Sequence, residues 1–298
     1  MNKKTFFGVV TVLIMASCHQ TSSNVPESTI AINVRNGSNP IEIQLPEIVD
    51  SVHYLALQTS DDCLLGFIQD VRRDSNFYVV KDGHELFAFN EKGEFLNRIG
   101  RRGSGPGEYI NFDAFYLDRV KNLVYIVSNY QKEILCYSYS GAYCFSIELP
   151  HDDGISSVTL CETGEWLAYH RLLNSDTDDI PQYSVMQDMK NGSLVTTPLL
   201  PAIGIMARNS FISAQGRPIA HFQGQYYLIS AFSNKIYEYE NGQISSVYYV
   251  DSPNIAPSQS FLEEYKGCEL YDFYKILGEK KIGFGLMDVD ASSECLFF

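Results

Sequence analysis

The stretch IGRRGSGPGEY, Ile99 to Tyr109, decides how the rest of the chain is read. Gly103, Gly105 and Gly107 fall within five residues, with Pro106 among them, Arg101 and Arg102 ahead and Glu108 behind. Loops of this kind either cradle a phosphate or turn the chain through dihedrals that other residues resist. A P-loop needs G-x-x-x-x-G-K-[ST] between a strand and a helix, and neither that lysine nor a helix follows. The dinucleotide pattern G-x-G-x-x-G fails too, because Glu108 stands at its sixth position. The stretch is therefore a corner, in which Pro106 fixes one dihedral.

Working outward from the corner, a repeat emerges. The segments 86–100, 134–149, 183–200 and 236–250 each hold a run of apolar and polar alternation, a tight turn and a second such run. Alternation with period two marks strands, and a turn glycine supplies the positive φ of a hairpin. The turn glycines are Gly93, Gly141, Gly192 and Gly242, at intervals of 48, 51 and 50. Further strands precede the hairpins at 76–82, 123–129, 165–170 and 225–230, and 112–118 precedes one of those. Four antiparallel strands in about 50 residues describe a blade of an all-β propeller. Only 261–277 carries a weak helical pattern. If strands A to D run from the centre outward, the glycine-rich corner carries the chain from strand D of one blade to strand A of the next.

The run GEFLNRIGRRGSGPGEY, with NFYVVKDGHELFAF ahead of it, resembles the NHL-type repeat of six-bladed β-propeller lipoproteins of Bacteroidota. The opening IVDSVHYLALQTSDDCLLGFIQDV (48–71) is similar to that family's first segment. The resemblance implies a propeller and a lipid anchor, and no single activity. Six blades of such length exceed what 41–298 supplies. The expectation is a ring of about five units or a six-bladed ring cut short, and the apolar ending CLFF favours the latter.

The N-terminus reads as an address. Lys3 and Lys4 precede a short apolar run, Phe6 to Ala16, too short to span a bilayer but laid out as a secretion signal. Met-Ala-Ser-Cys at 15–18 resembles a lipobox. The expected division is a lipoprotein signal at 1–17, lipid on Cys18, a polar tether at 18–40 and the propeller at 41–298. The first acid after the cysteine is Glu27, so the expected location is the outer membrane, lipid-anchored and facing the periplasm. The formal charge of -14 excludes a nucleic-acid backbone as partner, since that needs clustered cations. Beyond Cys18 six cysteines remain, none as Cys-x-x-Cys. Cys136 and Cys144 flank a hairpin turn but differ by one residue in register, which makes a disulfide there one of two open readings.

Topology sorts the loops. Strand B-to-C turns and the inter-blade bridges share one face, and the glycine hairpins share the other. The first face holds Asp82, His84, Arg101, Arg102, Glu108, Tyr109, Asn129, Lys132, His170, Arg171, Asn234 and Lys235 as candidate binding residues. Arg101 and Arg102 have the fork geometry for an anionic sugar or carboxylate, or pair with Glu108 instead. His84 and His170 are read as exposed loop histidines, and His53 as packed in an opening strand. Asp176, Asp178 and Asp179 supply hard oxygen ligands for calcium, but lack the spacing of an EF-hand and suit a solvated loop as well. Trp166 and the abundant tyrosines and phenylalanines recur at strand spacing, as core. No nucleophile elbow or Ser/His/Asp order occurs.

The expected function is a lipid-anchored envelope module that binds a protein or glycan through rigid loops, with no cofactor evident. The alternative is a metal-dependent lyase or lactonase-type hydrolase with its cation at the axis, calcium being the candidate ion.

Overall fold

A computed structural model describes residues 29–33, 44, 46, 50–149, 154–170, 181–188, 194–201, 217–291 and 296–297. After β1 (Thr29–Asn33) the chain forms four successive four-stranded antiparallel blades. Blade I is β2 (Ile68–Asp74), β3 (Phe77–Asp82), β4 (Glu85–Asn90) and β5 (Phe95–Arg98). Blade II is β6 (Ala114–Asp118), β7 (Leu123–Ser128), β8 (Glu133–Ser138) and β9 (Tyr143–Glu148). Blade III is β10 (Ile155–Leu160), β11 (Trp166–His170), β12 (Pro181–Asp188) and β13 (Leu194–Pro201). Blade IV is β14 (Ile219–Phe222), β15 (Gln225–Ile229), β16 (Lys235–Glu240) and β17 (Gln243–Asp251). β1 lies parallel to β17 as a fifth, outer strand, with Thr29 opposite Val247. Helices α1 (Gln259–Glu264) and α2 (Leu270–Lys280) follow, then the short pair β18 (Asp290–Ala291) and β19 (Leu296–Phe297).

The all-β propeller architecture is thus as read, with a correction to its size. Among the described residues there are four blades, not five or six. Where a fifth hairpin unit falls due, the chain turns helical. Ser258 caps α1 by accepting from Phe261 N at 3.2 Å, and Phe273 and Leu277, four residues apart, put one face of α2 in the core. Lys281, at φ 55°, ends α2, its N–H donating to Gly278 O.

The core runs as seams between blades. Leu86, Ala88 and Ile99 of blade I meet Phe112, Phe115 and Tyr137 of blade II. Between blades II and III lies Trp166, its ring edge-on to Tyr125 at 4.8 Å. Between III and IV, Tyr183 is wholly buried and donates to Pro218 O at 2.8 Å and Ile229 O at 2.5 Å. Alternation along each strand serves two such seams at once, which is why so many strand positions are apolar.

Two finer expectations change, those for His53 and His170, and the open reading of Cys136 and Cys144 closes without a disulfide. Residues 51–67 form no strand beyond a bridge between Ser60 and Cys63, and His53 lies exposed, its Nε2 3.0 Å from Ser51 Oγ. Cys136 pairs with Phe145 across β8 and β9, a bulge sets Cys144 aside, and both thiols are free. His170 is not a loop residue: it ends β11, buried, with Nε2 2.6 Å from Ser184 Oγ.

Candidate functional site

The glycine-rich corner folds as a closed loop, its ends joined by a parallel bridge between Arg102 and Tyr109. Gly103 N donates to Tyr109 O at 2.9 Å, and Tyr109 N to Arg101 O at 3.0 Å. The Glu108 carboxylate turns inward to accept from Gly105 N at 2.9 Å, with Arg101 Nε 3.8 Å away. Arg102 Nε donates to Ile110 O at 3.1 Å. Tyr109 is buried in the seam between blades I and II, and burial holds its phenol well above the usual tyrosine range. All four candidates here, Arg101, Arg102, Glu108 and Tyr109, take part in the corner's own structure.

Neighbouring turns on the same face are stapled to it. Gln131, between β7 and β8, donates from Nε2 to Glu108 O at 3.0 Å and accepts from Ile110 N at 2.9 Å. Asn129 clamps the start of blade III, donating to Ile155 O at 2.8 Å and accepting from Ile155 N at 3.0 Å. Lys132 adopts φ 58° in the same turn and stays exposed. Asp82 accepts from Gly66 N and from Phe67 N, the latter at 2.9 Å. His84 is exposed, its ring edge-on to Phe112 at 6.4 Å. Arg171, Asp176, Asp178, Asp179 and Cys18 lie outside the described residues. Among the described residues no three His, Cys, Asp or Glu side chains group as metal ligands.

Open space gathers instead at blade IV. A cleft of about 790 Å³ lies between the β15–β16 turn, the outer strands β16 and β17, and residues 252–263. The candidates Asn234 and Lys235 line it, together with Gln182, Ser230, Tyr237, Tyr249 and Glu263. Lys235 and Tyr249 are register partners on adjacent strands. Ser230 donates to Gln182 Oε1, a hydrogen bond between two buried side chains from neighbouring blades. Asn234 Nδ2 donates to Val250 O at 3.1 Å, which braces the turn. Burial pushes the Tyr237 phenol up, while Lys235 and Glu263 are exposed charges of opposite sign.

The far wall is held by one strained aromatic. Phe232 sits at φ 55°, a region that bulky residues rarely adopt. Its N–H donates to Phe284 O at 2.8 Å, and Leu286 N donates to Ser233 O at 2.9 Å. The ring packs edge-on against Phe273 of α2 at 5.3 Å, in a cluster with Leu262 and Leu277. The helices are thereby fixed over the end of blade IV. Sequence reading found Asn234 and Lys235 through loop topology. It missed Gln182, Ser230, Tyr237, Tyr249 and Glu263, which come from strands, the end of β15 and a helix and carry no local motif.

No helix among the described residues is long and apolar enough to cross a membrane. No curated protein matches the chain. Among solved structures, a Bacteroides fragilis protein designated exported is similar at TM-score 0.66 and 21% identity, covering 88% of this chain and 70% of that one. A member of the duf4221 family from Bacteroides vulgatus is similar at TM-score 0.48 and 10% identity, covering 67% and 62%. A streptogramin B lyase follows at TM-score 0.43 and 16% identity, covering 63% and 56%. Likeness at these levels speaks to fold, and only the first is strong enough to argue from. One family model, described as a domain of unknown function (DUF4934), matches residues 28–298, and the chain belongs to that family.

Proposed function

We propose that the chain is a lipid-anchored binding module of the cell envelope, taking a polar ligand, a glycan or a peptide, in the cleft of blade IV. The observation that carries this reading is the cleft's lining. Amide, hydroxyl and phenol groups surround a space large enough for a small oligomer, and Lys235 and Glu263 stand at hand to orient it. Its walls come from two blades and a helix, so the geometry is held before a ligand arrives, which lowers the cost of binding. The lipobox-like MASC at 15–18 and the designation of the Bacteroides fragilis relative as exported support an envelope location.

The test is a melting screen of the chain against panels of neutral oligosaccharides and of short peptides, repeated with Lys235→Ala and Tyr249→Ala. A ligand at about 100 times its Kd adds about 2.7 kcal/mol of stability. That gain should appear for one class and vanish in the variants, whose unliganded melts stay close to the parent's. No shift with either panel would overturn the reading. The rival, a metal-dependent lyase or hydrolase, is tested on the same sample by metal content and by melting with chelator. Stoichiometric calcium or zinc whose removal lowers Tm would replace the binding reading with the catalytic one.

A further inference from the structure

The outer edge of blade II holds two cysteines that its last hairpin brings together. Cys136 lies within β8, and Cys144 lies on β9, the edge strand of that sheet. Unbroken pairing would set Cys144 across from Tyr137. The register instead passes from Cys136 opposite Phe145 to Tyr137 opposite Tyr143, so Cys144 is the extra residue of a β-bulge. Its thiol lies beside that of Cys136, with Sγ 3.6 Å from Ala142 O. The two differ in access. Cys136 is wholly buried in the seam between blades II and III, in one cluster with Tyr125 and Trp166. Cys144 is exposed, on a strand with five of its six positions exposed. Both thiols are free in the fold as it stands, and nothing in the hairpin separates them.

We infer that Cys136 and Cys144 are a redox pair, which a small-molecule disulfide such as oxidised glutathione closes into a bond tying the edge strand β9 to β8. The exposed Cys144 thiol gives up its proton and attacks one sulfur of the oxidant. The oxidant's S–S bond breaks, one small thiol leaves with a proton, and a mixed disulfide stands on Cys144. Cys136 then loses its proton and attacks Cys144 Sγ, and the second small thiol leaves with a proton. Two protein thiols are oxidised and one disulfide is reduced. Access fixes this order, because a bulky oxidant cannot reach Cys136. Burial first, then Cys144 and the Asp118 carboxylate, push the Cys136 thiol up to about 12 against a hydrogen bond with Tyr125 that lowers it, so the second step is the slow one. The finished bond lies beside Tyr125, whose ring is 4.8 Å from that of Trp166, the chain's one tryptophan. A disulfide near an indole quenches its emission, so Trp166 reports the closure.

The test treats the reduced full chain with oxidised glutathione, stops samples with acid at intervals and maps the cysteines by peptide mass spectrometry. Cys144→Ser and Cys136→Ala run alongside. The expected course is a glutathione adduct on Cys144 that rises and then converts to a Cys136–Cys144 disulfide. The conversion should be about tenfold faster for each pH unit between pH 7 and pH 9, since Cys136 stays almost wholly protonated there. Trp166 emission should fall with the conversion and recover with dithiothreitol. In Cys136→Ala the adduct should persist, and in Cys144→Ser Cys136 should stay unmodified. If Cys136→Ala does not fold, the parent's time course and Cys144→Ser decide. A parent that stops at the adduct, or that joins Cys144 to another cysteine, would overturn the inference. So would a Cys144→Ser chain whose Cys136 reacts as fast as the parent's.

Discussion

The carboxylate of Glu108 fills the space that a β-carbon on Gly103 would take. A side chain at 103 thus displaces the acid that satisfies Gly105 N, and the cost is about one hydrogen bond, about 1 kcal/mol. Gly141 differs. It sits at φ 82°, and a β-carbon there would run into the backbone carbonyl of Arg98 in the neighbouring blade, which cannot swing aside. Gly141→Ala should therefore cost at least about 2 kcal/mol. Urea midpoints of the two alanine variants check the order, and equal losses would contradict this account of the corner.

Asn129→Ala should destabilise by about 2 kcal/mol, since both Ile155 backbone groups lose their partner. Asn129→Asp should recover little, because a carboxylate accepts from Ile155 N but faces Ile155 O without a proton to donate. Hydrogen exchange at Ile155 is the direct readout. A fully protected amide in the alanine variant would show that the staple is idle.

Phe273→Ala should cost about 3–5 kcal/mol locally, by removing the ring on which Phe232 rests. The opening should stay local, since among the described residues α1 and α2 pack through one cluster at the end of blade IV. Exchange is expected to rise across 259–290 and stay unchanged in blades I and II, with the cleft's ligand response lost. Uniform loss of protection would mean that the helices are needed for the whole fold.

Alkaline stability follows from buried thiols. Burial pushes Cys161 up to about 12, and burial first, then the Cys144 thiol beside it, does the same to Cys136. In the unfolded chain such thiols ionise near 8.5. Stability from keeping them neutral is thus complete below about pH 8.5 and is lost as pH rises toward 12. The urea midpoint should fall from pH 8 to pH 10, less steeply in Cys161→Ala. Exposed Cys144 should react with a thiol reagent in the native state, with Cys136 and Cys161 protected until unfolding.

The blades were legible because each is written locally. Period-two runs on either side of Gly93, Gly141 and Gly242 state strand, turn and strand within about 15 residues, and all three glycines have positive φ. The helical insertion was faint because the turn at Lys266 to Glu269 splits its pattern between α1 and α2. The cleft was half visible. Loop topology pointed to Asn234 and Lys235, but Gln182 and Ser230 meet only through the seam between blades III and IV. His170 was misread for the opposite reason: next to a polar run it looked exposed, while its Ser184 partner lies 14 residues on.

The outermost ladder of blade IV has a consequence in time. β1 is synthesised more than two hundred residues before its partner β17. Thr29–Asn33 must therefore wait unpaired while blades I to III form from neighbouring strands. The long loop itself adds little to the final free energy, because closure entropy grows only with the logarithm of length. It sets a limit on the order of events instead: the rim strand cannot dock before β17 has formed, and until it does the edge of β17 stays open to any other extended chain nearby.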